Sequence, residues 1–208
     1  MLPIRIQRLG QQPYDVTWQA MQAFTQTRTA ETQDELWLLE HPPIFTLGQA
    51  GKEEHILNRS HIPILKVDRG GQVTYHGPGQ LMAYTLIDLP RKHLSVHQLV
   101  HALETIVIHL LADYDIHALA NPKAPGIYVN QQKIGSIGLR VRRGCAYHGL
   151  ALNIDVDLTP FKDINPCGYQ GLQMTSLAKL IGPLSINDVL PRFIDHFCQE
   201  LGYNPHQV

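Results

Sequence analysis

The feature that most restricts the fold is a long amphipathic helix placed between two groups of strand-like segments. The helix starts at Ser95, and the residues after it carry an apolar side chain every three or four positions, which is the spacing of one buried helix face. These apolar residues are Val96, Leu99, Val100, Leu103, Ile106, Val107, Leu110 and Leu111. Because the strands come in runs on either side of this helix, the sequence predicts an α+β domain with a mixed β-sheet flanked by helices.

The other elements are predicted from apolar periodicity and from breaks at glycine and proline. Residues 13–29 and the last 35 residues show helical spacing, and Ser185 and Asp188 stand at capping-box spacing. Pro191 is expected to kink or restart the last helix. The predicted strands are ELWLLE, PIFTLG, PILKVD, QVTYH, QLMAYTLIDL, GIYVN, KIGSIGLRVR and AYHGLALNID.

Length and composition fit one ordinary globular domain spanning residues 1–208. Of the 208 residues, 44% are hydrophobic and 17% are charged, which excludes a disordered chain. The formal net charge of -1 gives no general attraction to nucleic acid. No segment approaches the length of a membrane span, and the first residues lack the apolar core of a signal peptide. Neither nucleic acid nor a membrane is therefore predicted as a partner.

Three cysteines, Cys145, Cys167 and Cys198, are odd in number and lack the CxxC spacing of metal sites. Free thiols are typical of a reducing compartment, so the sequence predicts a cytoplasmic protein. The twelve histidines contain no HExxH motif, and no metal site is predicted. Cys145 and Cys198 lie in apolar strand-like and helical patterns, which favours core packing for both.

Cys167 differs from the other two because it lies in a predicted turn, the segment NPCGYQG of residues 165–171. Asn, Pro and Gly favour turns, since each supplies an unusual or pre-set backbone angle. A thiolate near a lysine ammonium is stabilised by the opposite charge, and it attacks thioesters to form a new thioester. From the residues alone, this turn is a candidate cysteine acyl-transfer site.

A second candidate is the segment RGGQVTYHGPGQLMAY, residues 69–84. Paired glycines let the backbone approach a ligand closely, and Arg69, Thr74, Tyr75 and His76 supply donors beside them. Spacing alone favours a plain β-hairpin whose turn is Gly77-Pro78-Gly79. No Gly-Lys-Ser/Thr triplet closes the glycines, so a nucleotide phosphate loop is weakly supported.

Lys133 and His148 are the remaining candidates. Lys133 lies in NQQKIGSIG, residues 130–138, where the isoleucines suggest an apolar setting and the glycines expose backbone N–H groups. A partly desolvated lysine there could exchange protons near neutrality. His148, in YHGLALNID, is most simply a structural group at the end of a buried strand.

Taken together, these segments resemble the octanoyltransferase family of lipoate synthesis, also called lipoyl(octanoyl) transferases. RGGQVTYHGPGQLMAY matches the characteristic stretch of that family, NQQKIGSIG its lysine segment and NPCGYQG its cysteine segment. The order and separation of the three segments also agree, and the resemblance covers nearly the whole chain. It implies the fold of biotin and lipoate protein ligases, which is like that of class II aminoacyl-tRNA synthetases and biotin synthetases.

The resemblance also implies roles for particular residues. Cys167 would be the acyl-accepting nucleophile, and Lys133 would promote its ionisation and relay protons, with His148 as a supporting residue. The implied substrate-binding residues are Arg69, Gly70, Gly71, Gln72, Val73, Thr74, Tyr75, His76, Ser136, Ile137, Gly138, Gly149, Leu150 and Ala151.

In the family, the donor is octanoyl-acyl carrier protein, and the acceptor is a lysine of a lipoyl domain or of the glycine-cleavage H protein. No cofactor is implied, because the donor thioester is already activated. Three alternatives stay open from the residues: an ATP-dependent lipoate or biotin ligase, a non-catalytic carrier-protein binding module, and a cysteine hydrolase with His76 or His148 as base.

A cluster of arginines, Arg140, Arg142 and Arg143, follows the lysine segment. In a generic protein this would be a solvated strand edge. Because the resemblance implies an acidic carrier protein as donor, the cluster is predicted to help dock that carrier. Strand alternation would place Arg140 and Arg142 on one face.

Overall fold

The computed structural model describes residues 1–121 and 124–207, which form eleven strands and five α-helices. The strands are β1 (Leu2–Gln11), β2 (Asp34–Glu40), β3 (Ile44–Leu47), β4 (Ile64–Lys66), β5 (Val73–His76), β6 (Gln80–Asp88), β7 (Leu119–Ala120), β8 (Ile127–Val129), β9 (Gln132–Arg142), β10 (Cys145–Asn153) and β11 (Tyr203–Gln207). The helices are α1 (Tyr14–Thr27), α2 (Leu89–Lys92), α3 (Val96–Ala112), α4 (Leu177–Ile181) and α5 (Ile186–Leu201).

Eight strands form the main sheet in the order β11-β1-β2-β6-β10-β9-β8-β7. Strand β1 runs parallel to both of its neighbours, whereas the pairs from β2 to β7 are antiparallel. A second sheet has the order β4-β3-β5, with one parallel and one antiparallel pair. The predicted mixed sheet is therefore confirmed.

Helices cover both faces of the main sheet. The apolar stripe of α3 is buried as predicted from Leu99 onward, except that Val100 is only partly buried, and the predicted first member, Val96, is exposed. The stripe packs with α5 against one face of the sheet through Leu103, Val107 and Phe193. On the other face, Met21 of α1 packs against Trp37 and the neighbouring strands. Burial of these side chains removes apolar surface from water, which is the main favourable term in the folding of such a domain. The predicted flanking helices are thus present.

The end of the chain differs from the prediction. The last 35 residues were expected to be helical, but α4 and α5 are followed by β11, which pairs in parallel with β1. The helix does not restart at Pro191, because α5 continues through it, and a kink at this residue stays a prediction. A proline removes one backbone hydrogen bond, and the buried face of α5 compensates by packing on α3. The Ser185–Asp188 capping box is present, with Asp188 N donating to Ser185 Oγ over 3.3 Å.

The hairpin expected around Gly77-Pro78-Gly79 is also corrected by the structure. β5 and β6 lie in different sheets, since β5 pairs with β3 whereas β6 pairs with β2 and β10. The turn is held from outside by Glu40, whose Oε2 accepts from Gly79 N over 2.6 Å. The glycines therefore pass the chain from the small sheet to the large one, and a cavity opens between the two sheets.

Among the described residues, no helix has both the length and the apolar character needed to cross a membrane.

Candidate active site

Cys167 lies in a short helical turn, Pro166–Gly168, with its backbone in the left-handed region at φ 57° and ψ 16°. Residues other than glycine rarely adopt this conformation, which costs free energy and is found often at functional sites. The turn is fixed by Asn165 N, which donates to His55 O over 2.8 Å, and by Gly168 N, which donates to Asn165 O over 2.9 Å. The half-buried thiol is thereby placed in the wall of a cavity.

Lys133, at the start of β9, meets this thiol. Its side chain is only 1% exposed, and its Nζ donates to Cys167 Sγ over 3.0 Å and to Pro125 O over 2.8 Å. The lysine backbone is clamped by the segment after the cysteine turn, since Lys133 N donates to Gln173 O and Lys133 O accepts from Thr175 N, both over 2.9 Å. Lys133 is therefore tied to the cysteine turn and to the segment after it through both its side chain and its backbone.

Cys145 and Cys198 are both 7% exposed, and Cys198 belongs to the main hydrophobic cluster. Burial raises the pKa of both thiols, that of Cys198 to about 11. The prediction that these two cysteines pack in the core is therefore confirmed. Neither of them has the left-handed backbone of the half-buried turn that presents Cys167.

A cavity of about 420 Å³ extends from Cys167 between the two sheets. Most of the predicted substrate-binding residues line it. They are residues 69–74, His76, residues 136–138, Gly149 and Ala151, together with the predicted supporting residue His148. The pairing of β9 with β10 brings residues 136–138 next to Gly149 and Ala151, with Ser136 opposite Ala151 and Gly138 opposite Gly149.

Two predicted residues do not line the cavity. Tyr75 packs with Phe45 and Phe161 in the cluster under the small sheet, and Leu150 is fully buried in the main cluster. Successive side chains of a strand point to opposite faces, so the neighbours of a cavity residue in β5 or β10 face away from it.

Gly149 explains why β10 can approach its neighbour so closely. A Cβ atom at this position would lie 2.0 Å from Ala83 O of β6, a distance that real Cβ atoms essentially never show. The absence of a side chain therefore lets the two strands pair at the cavity wall.

His148 breaks the alternation of β10. Its φ of 61° is in the left-handed region, and its ring stacks on that of the adjacent Tyr147 with centroids 5.1 Å apart. Both rings bind the carboxylate of Asp68, with His148 Nε2 donating over 2.8 Å. Trp18 and Gln22 of α1 donate to the same carboxylate over 2.6 and 3.1 Å. A strained backbone thus turns His148 toward a carboxylate that has four donors.

Burial and hydrogen bonding together set the charges of Asp68 and His148. Burial opposes ionisation of Asp68, but the hydrogen bonds from His148, Tyr147 and Gln22 hold its pKa well below its usual range. Burial lowers the pKa of His148, against the opposing effect of Asp68. An ionised carboxylate only accepts, so a neutral His148 carries its proton on Nε2 and leaves Nδ1 as an acceptor. His148 lines the same cavity as Cys167, and its role as a supporting residue stays a prediction.

Arg69 shapes the glycine loop from within. Its guanidinium donates to three carbonyls, Thr46 O over 2.7 Å and Gly70 O and Gln72 O over 2.9 Å each. Gly70 N in turn donates to Leu139 O of β9 over 2.9 Å. The loop of residues 69–72 is therefore tied to β9 at Leu139, which places its backbone beside the cavity.

His76 is buried at the end of β5. Its Nδ1 and Nε2 lie 2.8 Å from Gln80 Oε1 and 3.1 Å from Thr46 Oγ1, respectively. Burial, with the neighbouring His41 and Arg69, lowers the pKa of His76 well below its ordinary value. The ring is therefore neutral at physiological pH and lies in a hydrogen-bonded network of the cavity wall.

Several apolar residues line the cavity but were not predicted from the sequence to belong to the site. They include Met82 and Tyr84 of β6, Val96 and Val100 of α3, and Leu139 of β9. Their only sequence signal is the same apolar periodicity that predicts core packing, so nothing separates a wall residue from a core residue. The carboxylate of Asp68 and the backbone carbonyl of Pro125 also bind groups of the site, and neither residue belongs to a recognisable motif.

His97 and His101 are four residues apart on α3, a spacing that can place two imidazoles on one helix face. Within the two described ranges, however, no three His, Cys, Asp or Glu side chains are grouped so that they could hold a metal ion.

Comparison with known proteins gives the family. Residues 13–198 match the model of the lipoyl protein ligase A/B catalytic domain. An octanoyltransferase of Shewanella denitrificans is 57% identical over 200 residues, which cover 96% of this chain and 88% of the relative. The chain belongs to the octanoyltransferase family. It is therefore an acyltransferase, and the resemblance found in its sequence is confirmed.

Solved structures agree on the fold. A structure of a bipartite lipoate protein ligase and its E2 lipoyl domain from Thermoplasma acidophilum matches with a TM-score of 0.80 at 14% identity, covering 100% of this chain and 87% of the other. Biotin protein ligase from Aquifex aeolicus matches with a TM-score of 0.56 at 11% identity, covering 97% and 70%. The predicted lipoate and biotin ligase-like fold is thus confirmed.

Proposed function

We propose that this octanoyltransferase takes the octanoyl group from octanoyl-acyl carrier protein onto Cys167 as a thioester and passes it to a lysine of a lipoyl domain. The observation that carries the proposal is the contact of Lys133 Nζ with Cys167 Sγ over 3.0 Å at the wall of a partly apolar cavity. A thiolate is the reactive form of cysteine, and an adjacent ammonium stabilises it.

In the first half-reaction, the Cys167 thiolate attacks the thioester carbonyl of the donor. A new C–S bond forms, the C–S bond to the carrier's thiol arm breaks, and the arm leaves as a thiolate. The Lys133 ammonium can then protonate the departing sulfur. One thioester replaces another, so the step needs no further source of energy.

In the second half-reaction, the amine of the acceptor lysine attacks the acyl-enzyme. A C–N bond forms, the C–S bond to Cys167 breaks, and the amine loses a proton. The amide is more stable than the thioester, which draws the reaction forward. A neutral Lys133, left by the first step, can accept that proton and regain its ammonium form beside the restored thiolate.

The cavity can account for recognition of the acyl chain. Met82, Val100, Ile137 and Leu139 supply apolar wall beside the glycine loop. Burial contributes roughly 0.8 kcal/mol per methylene, so an eight-carbon chain can contribute on the order of 5 kcal/mol. One methylene discriminates by only about 1–3 kcal/mol, and neighbouring chain lengths should therefore react more slowly but measurably.

A lipoyl domain as acceptor fits the family. The Thermoplasma structure combines a lipoate protein ligase of the same fold with its E2 lipoyl domain. The glycine-cleavage H protein is the second acceptor that we propose, and the acyl carrier protein is the donor. The donor protein and the acceptor protein must each reach Cys167 from solvent, which suits a nucleophile on a half-buried turn.

The test is the intact mass of the protein after mixing with octanoyl-acyl carrier protein, without acceptor and without ATP. The protein should gain one octanoyl group that hydroxylamine removes, and Cys167→Ala should gain none. Cys198→Ala and Cys145→Ala are matched controls that should gain one group each. Addition of a lipoyl domain should then move the group to the domain.

Three results would contradict the proposal. Acylation that requires ATP indicates a ligase, and release of free octanoate in place of transfer indicates a hydrolase. An unmodified enzyme that still binds the carrier indicates a binding module.

A further inference from the structure

Glu104 is an acidic residue on the buried face of α3. Its side chain is 8% exposed, and its neighbours on the same face, Leu103 and Val107, are fully buried. Burial of a carboxylate costs free energy unless hydrogen bonds replace the lost water. A glutamate among apolar helix residues therefore needs a partner, and the identity of that partner indicates what the glutamate does.

The partner is the backbone next to the catalytic lysine. Gly126 N donates to Glu104 Oε1 over 3.1 Å, and the preceding carbonyl, Pro125 O, accepts from Lys133 Nζ over 2.8 Å. Lys133 Nζ in turn donates to Cys167 Sγ over 3.0 Å. The N–H and the C=O of a single peptide unit, Pro125–Gly126, thus bind Glu104 on one side and Lys133 on the other.

Gly126 also leaves the space that the lysine occupies. Its φ is 137°, and a Cβ atom built there would lie 2.4 Å from Lys133 Cε and 2.9 Å from Lys133 Nζ. The third close atom would be Gly135 O, at 2.7 Å. The loop therefore packs directly on the end of the lysine side chain, so a shift of the loop would shift the ammonium.

Tyr128 contacts both Lys133 and the loop that precedes Gly126. Burial raises the pKa of Tyr128 to about 12, and Cys167, Tyr169 and Glu104 add to the effect. The ring lies 5.5 Å below Lys133 Nζ, and its hydroxyl donates to Ala124 O over 2.8 Å. The loop is thus held on a second side by a residue that contacts the lysine.

We infer that Glu104 is a positioning residue, which fixes the Pro125–Gly126 peptide so that the Pro125 carbonyl holds the Lys133 ammonium against Cys167. The peptide is rigid and planar, so a hydrogen bond at its N–H sets the direction of its carbonyl. The inference rests on the proposed acyl-enzyme chemistry, because it assigns Glu104 a role in activating that nucleophile.

The test compares Glu104→Leu, which removes the acceptor, with Glu104→Gln, which keeps an oxygen for Gly126 N. Two rates are measured: alkylation of Cys167 by iodoacetamide at pH 7, and single-turnover acylation by octanoyl-acyl carrier protein. Glu104→Leu should slow both rates about tenfold, while the KM for the donor stays within about twofold of that of the original enzyme. Glu104→Gln should keep both rates within about threefold of the original rates.

Glu35→Leu is the matched control. Glu35 is also a buried glutamate, 6% exposed, and it accepts from Trp37 Nε1 over 2.6 Å in β2, outside the cavity wall. The Glu35→Leu substitution should lower the free energy of unfolding and leave the alkylation rate of Cys167 unchanged. A Glu104→Leu enzyme that alkylates as fast as the Glu35→Leu enzyme would overturn the inference.

Gly126→Ala keeps the test decisive if Glu104→Leu does not fold. Its methyl group must displace the end of Lys133, so alkylation of Cys167 should slow at least tenfold in the folded protein. An unchanged rate would contradict the proposed packing of the loop on the lysine. Alkylation needs no acyl donor, so it tests positioning separately; failure of the original enzyme to form an acyl-enzyme would instead overturn the proposed function.

Discussion

Lys133 Nζ lies 3.0 Å from Cys167 Sγ, although the two residues are 34 positions apart in the chain. The same Nζ also donates to Pro125 O over 2.8 Å, so two groups of the described chain hold the end of this side chain. This geometry makes the charge of the lysine and its ability to release a proton separately testable.

The first prediction separates these two properties of Lys133. Lys133→Ala should slow both alkylation of Cys167 at neutral pH and octanoyl transfer, because the thiolate loses its ammonium partner. Lys133→Arg keeps a positive charge but hardly releases a proton, so it should restore alkylation better than turnover. Iodoacetamide kinetics and steady-state transfer rates check this; equal rescue of both would mean that Lys133 acts only through its charge.

The second prediction concerns the dependence of stability on pH. Burial lowers the pKa of His41 from 6.5 to about 4, and His76, Tyr14 and Tyr84 pack around its ring. Between these values the unfolded chain binds a proton that the folded protein does not. This residue's share of the free energy of unfolding should therefore fall by about 3 kcal/mol as the pH falls from 6.5 to 4.

Guanidinium unfolding at several pH values measures this effect. In His41→Asn, whose amide can still donate to Gln12 O as Nδ1 does in the original, the slope of stability against pH in this window should be smaller. Buried His76 and His148 should supply the slope that remains. An unchanged slope would show that His41 is already protonated in the folded state.

The third prediction concerns the close approach of β10 and β6. Gly149→Ala would place a methyl carbon 2.0 Å from Ala83 O, so the strands must separate, and the free energy of unfolding should fall by about 2 kcal/mol or more. Gly70→Ala, whose Cβ would meet only Leu139 O at 3.4 Å, is the control and should cost much less. Thermal unfolding of the two variants gives the comparison, and equal losses would contradict the argument.

The fourth prediction tests the arginine cluster as a docking site for the donor. Arg142 is exposed at the end of β9, and Arg143 is exposed in the turn before β10, at φ 51°. Arg142→Glu with Arg143→Glu should raise the KM for octanoyl-acyl carrier protein several-fold, most strongly at low salt, because exposed charges are screened. The rate with a small octanoyl thioester should hardly change.

Arg5→Glu with Arg8→Glu is the matched control for this change of charge. These exposed arginines lie on β1, several strands away from β9 in the main sheet. The control should leave both donors unaffected. If the β9 variant slows both donors equally, the arginines serve the cavity or the fold, and the docking hypothesis is wrong.

Periodicity and local motifs predict much of this fold. The apolar stripe of α3 and the Ser185–Asp188 capping box are local patterns, so they can be found without knowledge of the rest of the chain. Strand β11 and the separation of β5 from β6 depend on distant partners, β1 and β3, which local patterns do not contain. For β11 and for β5, pairing with a distant strand therefore determined the structure, and the local sequence pattern did not.

The site divides in the same way. Cys167 is visible in the sequence because a cysteine between proline and glycine is unusual, and the lysine and glycine segments follow from the family resemblance. Asp68, Glu104 and Pro125 are not visible. Asp68 and Glu104 act through hydrogen bonds to groups 80 and 22 positions away in the chain, and Pro125 acts through its backbone carbonyl. Such contacts leave no spacing or composition to detect.

The pairing of β11 with β1 has a consequence for how the chain is made. Leu2 pairs with Tyr203, so the edge of the main sheet joins residues from nearly opposite ends of the sequence. During synthesis, β1 leaves the ribosome long before β11, and it has no partner on that side until residues 203–207 have also been translated. Contacts of such long separation close slowly, and an unpaired edge strand can meanwhile pair with other chains. Until β11 is in place, this side of β1 is therefore open to pairing with other chains and to binding by chaperones.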